Sequence, residues 1–208
     1  MSRVARAEPD RLPALPVGQE QPPCTPLPLH RYESGLWHYE PDVYCDHRYL
    51  LGRPGQRPLV CVGINPSTAQ PGALDPTLKS VERLAAANGF DSWLMFNVYA
   101  QRATDPNAMD AAPRADWRRR NAEWLQAVLT QCQATMWAAW GTLIEKRDYL
   151  PALMQELVAV TAAHNTPWVR FGPLSKAGHP HHPLYLRRDE TPQPFDVQTY
   201  LAAFPHTK

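Results

Sequence analysis

Two asparagines, one aspartate and a histidine-rich loop hold the chemistry this sequence can offer. In Gly63-Ile64-Asn65-Pro66-Ser67 a glycine allows close backbone approach and the Asn-Pro step turns the chain sharply away. The Asn65 amide donates and accepts but is no strong base, so it can hold a water or a substrate carbonyl, or simply cap the turn. Asn97 ends the apolar run Trp93-Leu-Met-Phe96. A buried amide there needs partners: either a neighbouring loop, or the donor–acceptor edge of a nucleobase or another amide. Asp75-Pro76-Thr77 opens a helical stretch, where Asp75 or Thr77 serves as N-cap and Asp75 is alternatively a carboxylate base. The stretch Ser175–Tyr185 carries His179, His181 and His182. Three close histidines raise a metal site, yet no H-x-x-x-H spacing or carboxylate partner accompanies them, so no metal is expected. A histidine of this loop can instead donate to an anion forming in a reaction, and Lys176 can do so electrostatically. Arg114, Arg118, Arg119 and Arg120 surround Trp117, a group suited either to phosphates or to a solvated helix face.

These residues must be positioned by strands and helices that alternate along the chain. Tyr49-Leu50-Leu51 reads as a short lead-in strand. Residues 58–65, 92–97, 134–140 and 168–171 read as strands, the apolar ones buried on both faces. Helices are expected over 77–88, 116–131, 143–163 with a restart at Pro151, and 195–204. Crossover helices between strands imply a parallel sheet. The expected architecture is α/β, a three-layer α/β/α domain with a central four-stranded parallel sheet. Ligands of such sheets sit beyond the carboxyl ends of the strands. Asn65, Asn97, Trp140-Gly141 and the histidine loop all follow strand ends, so four distant segments are expected to meet on one rim.

The chain has 208 residues, room for one domain of ordinary size. Seven of its 23 prolines, from Pro9 to Pro28, fall in the first 28 residues. Residues 1–28 are therefore read as an extended or disordered leader, and 29–208 as a single α/β domain. Hydrophobic residues make up 44% and charged residues 20%, which excludes wholesale disorder. The net charge of +1 excludes a strongly basic coat for nucleic acid. No apolar run approaches the roughly 20 residues that span a bilayer, and the N-terminus lacks a signal-peptide core. A soluble, cytoplasmic protein without membrane contact is expected. Cys24, Cys45, Cys61 and Cys132 form no C-x-x-C pair, so reduced thiols are expected rather than a zinc knuckle or an iron–sulfur site.

Gly63-Ile-Asn-Pro66, the strand end Phe96-Asn97, Trp140-Gly141 and the His-Pro loop stand in the order of the motifs of the uracil-DNA glycosylase superfamily, which the chain resembles over about residues 58–186. It resembles still more closely an uncharacterised bacterial family, a domain of unknown function, in Asn65–Ala69, Asp75–Thr77, Asn97 with Arg102–Pro106, Ala139–Gly141 and His182–Leu186. The glycosylase resemblance implies cleavage of a nucleobase–sugar N-glycosidic bond after the nucleotide swings out of its stack, with no cofactor. It implies that Asn65 positions water, that Asn97 reads the base, and that a histidine of the loop stabilises the departing anion. The loop after the fourth strand begins Gly172–Lys176, and its first histidine is His179, so His182, His179 and Lys176 stand as alternatives for that last role. Asp75 is held in reserve as a base. Gly63, Ile64, Pro66, Ser67, Arg102, Leu184 and Tyr185 are the further candidate substrate contacts. The expected partner is a nucleic acid or a nucleotide-like small molecule. The alternatives are a different enzyme acting on a small nucleotide-like substrate, and a non-catalytic nucleic-acid binder that uses the Arg114–Arg120 group. Protein partners are left open.

Overall fold

The computed structural model describes residues 31–32 and 35–204, so the leader expected over 1–28 lies outside the described residues. One eight-stranded mixed sheet runs through it. In chain order the strands and helices are β1 (Arg31–Tyr32), β2 (Trp37–Glu40), β3 (Leu50–Gly52), β4 (Pro58–Gly63), α1 (Pro76–Ala87), β5 (Ser92–Asn97), α2 (Ala115–Gln131), β6 (Thr135–Ala138), α3 (Leu150–Ala163), β7 (Trp168–Phe171), β8 (Pro192–Pro194) and α4 (Val197–Ala202). The sheet order is β1-β2-β3-β5-β4-β6-β7-β8.

Strands β5, β4, β6 and β7 pair in parallel. Every residue of β4 and β5 is buried, because helices cover both faces of the sheet. The alternation of side chains divides these strands between two cores. Val60, Val62, Leu94, Phe96 and Met136 pack with apolar residues of α2, α3 and α4. Leu59, Cys61, Trp93, Met95 and Trp137 pack instead with Leu78, Val81, Leu84 and Ala85 of α1. Those four residues recur at helical spacing, which is why 76–87 folds as a helix on that face.

The expected sheet of four parallel strands is corrected: β3 joins β5 antiparallel, β8 joins β7 antiparallel, and β2 and β1 extend the β3 side. The added strands are short and give weak signals. Strand β8 is Pro-Gln-Pro, tolerable only at an edge where no ladder hydrogen bond is asked of the missing N–H groups. Strand β2 buries His38 and Glu40 alongside Trp37 and Tyr39, so it lacks the apolar run of an interior strand. The third expected strand ends at Ala138, and a short 3-10 helix, Gly141–Glu145, precedes α3 with Pro151 in its first turn. No helix among the described residues is long and apolar enough to cross a membrane.

Candidate functional site at the carboxyl ends of the parallel strands

The carboxyl ends of β4 and β5 open onto a cavity of about 150 Å³. A cavity on the order of 150 Å³ is large enough to hold one aromatic ring. Its lining includes Asn65, Asp75, Asn97 and His182, four residues far apart in sequence. Gly63, Ile64, Pro66 and Ser67 line it as well, together with Ala103 and Thr104 from the segment after β5.

Asn97 lies at the end of β5 with 0% exposure. Its backbone carbonyl accepts from Asn121 Nδ2 at 2.8 Å. Its side-chain Nδ2 and Oδ1 have no hydrogen-bond partner among the described residues. Gly63 lies across from it in the parallel register. A Cβ at position 63 would come within 3.0 Å of Asn97 Oδ1 and 2.7 Å of Met95 Cε, so glycine keeps that oxygen uncovered. A buried amide with both ends free, in a cavity the size of a ring, is poised to bond a ligand that carries an adjacent donor and acceptor.

Asn65 is tied down on one side only. Its Nδ2 donates to the carbonyls of Ala103 at 2.7 Å and Pro66 at 3.1 Å, which leaves Oδ1 to accept from a water or a substrate. Asp75 is the N-cap of α1: Oδ1 accepts from Leu78 N at 2.9 Å. The cap reading and the cavity reading of Asp75 therefore coexist, since the carboxylate has a second oxygen. His182 caps the 3-10 helix Pro183–Tyr185, its Nδ1 accepting from Leu184 N at 3.4 Å. That bond places the proton of the neutral ring on Nε2. Burial pushes the imidazole below its ordinary pKa, and Asp75 opposes the shift. A neutral His182 donates one hydrogen bond and brings no charge.

The depressed pKa fixes the sign of a pH effect. The unfolded ring takes up a proton near pH ~6.5 while the folded one resists it, so stability is complete above that value and falls as the pH drops toward the folded pKa. Thermal melting from pH 7.5 to 5 is expected to show a destabilisation that His182→Gln reduces; identical profiles for the two proteins would contradict it.

Other sequence candidates fall elsewhere. Lys176 is exposed and outside the cavity. His179 is 3% exposed and belongs to a second group. There Trp140 Nε1 donates to Tyr200 Oη at 2.9 Å, and Tyr200 Oη bonds His179 Nδ1 at 2.8 Å. Indole can only donate, so the tyrosine oxygen accepts from Trp140 while it pairs with His179 Nδ1, and His179 Nε2 lies 3.3 Å from Glu145 Oε1 though off the line of a hydrogen bond. Burial pushes the Tyr200 phenol above its ordinary range. This chain fixes Trp140, itself part of the cavity wall. Tyr200→Phe leaves Trp140 Nε1 and His179 Nδ1 without this partner, at roughly 1–3 kcal/mol for each buried group. A fall in melting temperature of about 2–4 °C per kcal/mol is expected for a chain of this size, read by thermal denaturation.

Arg102 braces the loop beside the cavity. It donates to the Ser67 carbonyl, to the Ala69 carbonyl at 3.3 Å and to Tyr39 Oη at 3.0 Å. Leu184 and Tyr185 line an adjoining cavity of about 390 Å³, which shares Trp140, Leu143 and His182 with the first. The four arginines near Trp117 each face a carboxylate: Arg114 faces Asp46 and Asp110, Arg118 faces Glu156, and Arg119 and Arg120 face Glu123. Cys45, Asp46 and His47 bring their polar atoms within 4.8 Å of one another, outside the cavity. His47 Nδ1 already bonds Asp46 at 2.8 Å, and its ring stacks on Trp117 at 4.9 Å.

Sequence reading missed Arg48. It lines the cavity, is 1% exposed and donates Nη1 to the Ala69 carbonyl at 3.1 Å. No motif marks it; its burial arises only when β3 and the loop around Ala69 close over it.

The fold and the cavity define an α/β protein with a small polar pocket at the carboxyl ends of its parallel strands. The chain belongs to the DUF1643 family, described as a protein of unknown function, whose model matches residues 48–184. That range contains every residue named here as lining the pocket. Searches of the curated proteins and of the solved structures returned no match.

Proposed function

We propose that the protein is a glycosylase-like hydrolase that cleaves a nucleobase–sugar N-glycosidic bond in a nucleic acid or a nucleotide. The observation that carries this reading is the Asn97 amide, fully buried, without a partner among the described residues and set in a ring-sized cavity. A nucleobase edge offers the donor and acceptor such an amide lacks. In this reading the flanking helices and the parallel core form a three-layer fold like that of the uracil-DNA glycosylases. Asn65 Oδ1 holds a water beside the sugar, and the free oxygen of Asp75 takes its proton as the water oxygen bonds the anomeric carbon. The carbon–nitrogen bond breaks with its electron pair passing to the base. His182 Nε2–H donates to the departing base, which is then protonated from Asp75 or solvent. The steps as written use no metal or cofactor.

Release of free base from oligonucleotides and nucleosides bearing uracil, hypoxanthine or alkylated bases tests the reading. Release by the native chain, lost in Asn65→Ala/His182→Ala, is expected. No release from any of these substrates, or release that survives the double substitution, overturns it.

The near-neutral charge and the paired arginines favour a second reading, a non-glycosylase enzyme acting on a small nucleotide-like substrate, because duplex binding relies on many free phosphate contacts. Nucleosides and nucleotides that raise the melting temperature without releasing base would select that second reading.

A further inference from the structure

Among the described residues, the buried cation Arg48 has no close partner for its charge. It is 1% exposed, and among the described residues its Nε has no hydrogen-bond partner and its guanidinium makes no ion pair, Nη1 donating only to the Ala69 carbonyl. Removing a guanidinium from water costs several kcal/mol unless the charge is compensated. The charged and titratable groups that act on it most strongly among the described residues are Arg102, Asp75, Tyr39 and Tyr44. Arg102 repels it and Asp75 attracts it. Asp75 already turns one oxygen to the α1 N-terminus. Two cations therefore face one carboxylate beside a cavity that Arg48 itself lines. Burial lowers the Arg48 pKa to about 9, with Arg102 adding to the effect, so the group remains charged at pH 7.

The same cavity contains the unpartnered amide of Asn97 and the uncharged ring of His182. The amide calls for a flat ring with a neighbouring carbonyl and N–H. The cation calls for negative charge on that ring. We propose that Arg48 makes this cavity selective for a heterocycle in its anionic state, with Arg48 supplying the charge and Asn97 reading the edge. This rests on the base-binding reading of the cavity and deepens it. A base that leaves its sugar carries away the bonding electron pair, so a site that prefers the anion also prefers the late stage of bond cleavage. His182 then contributes a hydrogen bond and Arg48 the charge.

Two free heterocycles separate this proposal from the reaction itself. Uracil is neutral at pH 7.5, whereas 5-nitrouracil has the same carbonyl and N–H edge but a far more acidic ring N–H and is largely anionic there. Calorimetric titration of the full 208-residue chain with each is the experiment. The native protein is expected to bind 5-nitrouracil about tenfold more tightly or better, the margin between a charge-assisted and a neutral hydrogen bond. Arg48→Met is expected to abolish the preference and Arg48→Lys to retain most of it, with circular dichroism confirming both folds. Should Arg48→Met fail to fold, the native protein still decides: its preference must vanish as the pH falls through the ionisation of 5-nitrouracil. Equal affinity for both rings, or a preference that persists in Arg48→Met or in the protonated ligand, overturns the proposal and leaves base binding intact. Binding of neither ring overturns the proposal and the base-binding reading together.

Discussion

Asn97→Leu is expected to make the protein more stable and unable to bind its ligand. Leucine nearly matches asparagine in shape and has no polar atom. Among the described residues Nδ2 and Oδ1 of Asn97 have no partner, and each buried group left unpaired costs roughly 1–3 kcal/mol. The backbone bond from Asn121 to the Asn97 carbonyl does not involve the side chain and survives the change. Relief of even 1 kcal/mol raises the melting temperature by about 2–4 °C in a chain of this size. The ligand in turn loses a paired donor and acceptor in a desolvated site, which weakens it by about a hundredfold or more. Thermal denaturation and nucleobase titration read the two effects. An Asn97 that served only to link loops would show the reverse pattern, a lower melting temperature with binding unchanged, and that outcome removes the central residue of the proposed site.

A functional site that opposes stability is hard to see in the local features of a sequence, and this chain divides along that line. Strands β4 and β5 and helix α1 were legible because burial on both faces of the sheet demands continuous apolar runs, and burial on one face of a helix demands helical spacing. Asn65 and Asn97 stood out because an amide interrupts an apolar run at a strand end, and strand ends are where such sheets bind ligands. Arg48 did not stand out. It precedes β3 among polar neighbours and looks like any surface arginine until β3 joins β5 and the Ala69 loop covers it. The edge strands escaped for a related reason: their pairing comes from partners already in place rather than from their own residues, so Pro192-Gln-Pro194 reads as loop. His179 shows the converse. Its His-Pro context marks it as reactive, yet Tyr200, which lies beyond the family-matched region, bonds it in the interior.

Asp75→Asn separates the two duties that geometry gives one carboxylate. Asparagine caps helices about as well as aspartate, so the bond from Leu78 N to the side-chain oxygen persists. What disappears is the negative charge that faces both the α1 N-terminus, worth about 0.3–1 kcal/mol, and the buried Arg48, so the melting temperature falls by the loss of that attraction while the cap itself persists. If the free oxygen takes the proton of the attacking water, base release falls by about 10²- to 10⁴-fold. Asp75→Ala gives the same loss of activity plus a cap penalty of about 0.5–2 kcal/mol, visible only in the melting curve. The charge has a further readout. Asp75 raises the pKa of His182, so the amide variant lowers it further, and the imidazole resonance titrates at lower pH than in the native chain. A cap without chemistry predicts full base release in Asp75→Asn and reduced stability in Asp75→Ala. Base release within a few-fold of native, with the His182 titration unmoved, would leave Asp75 as a helix cap alone and return the search for the base to the other walls of the cavity.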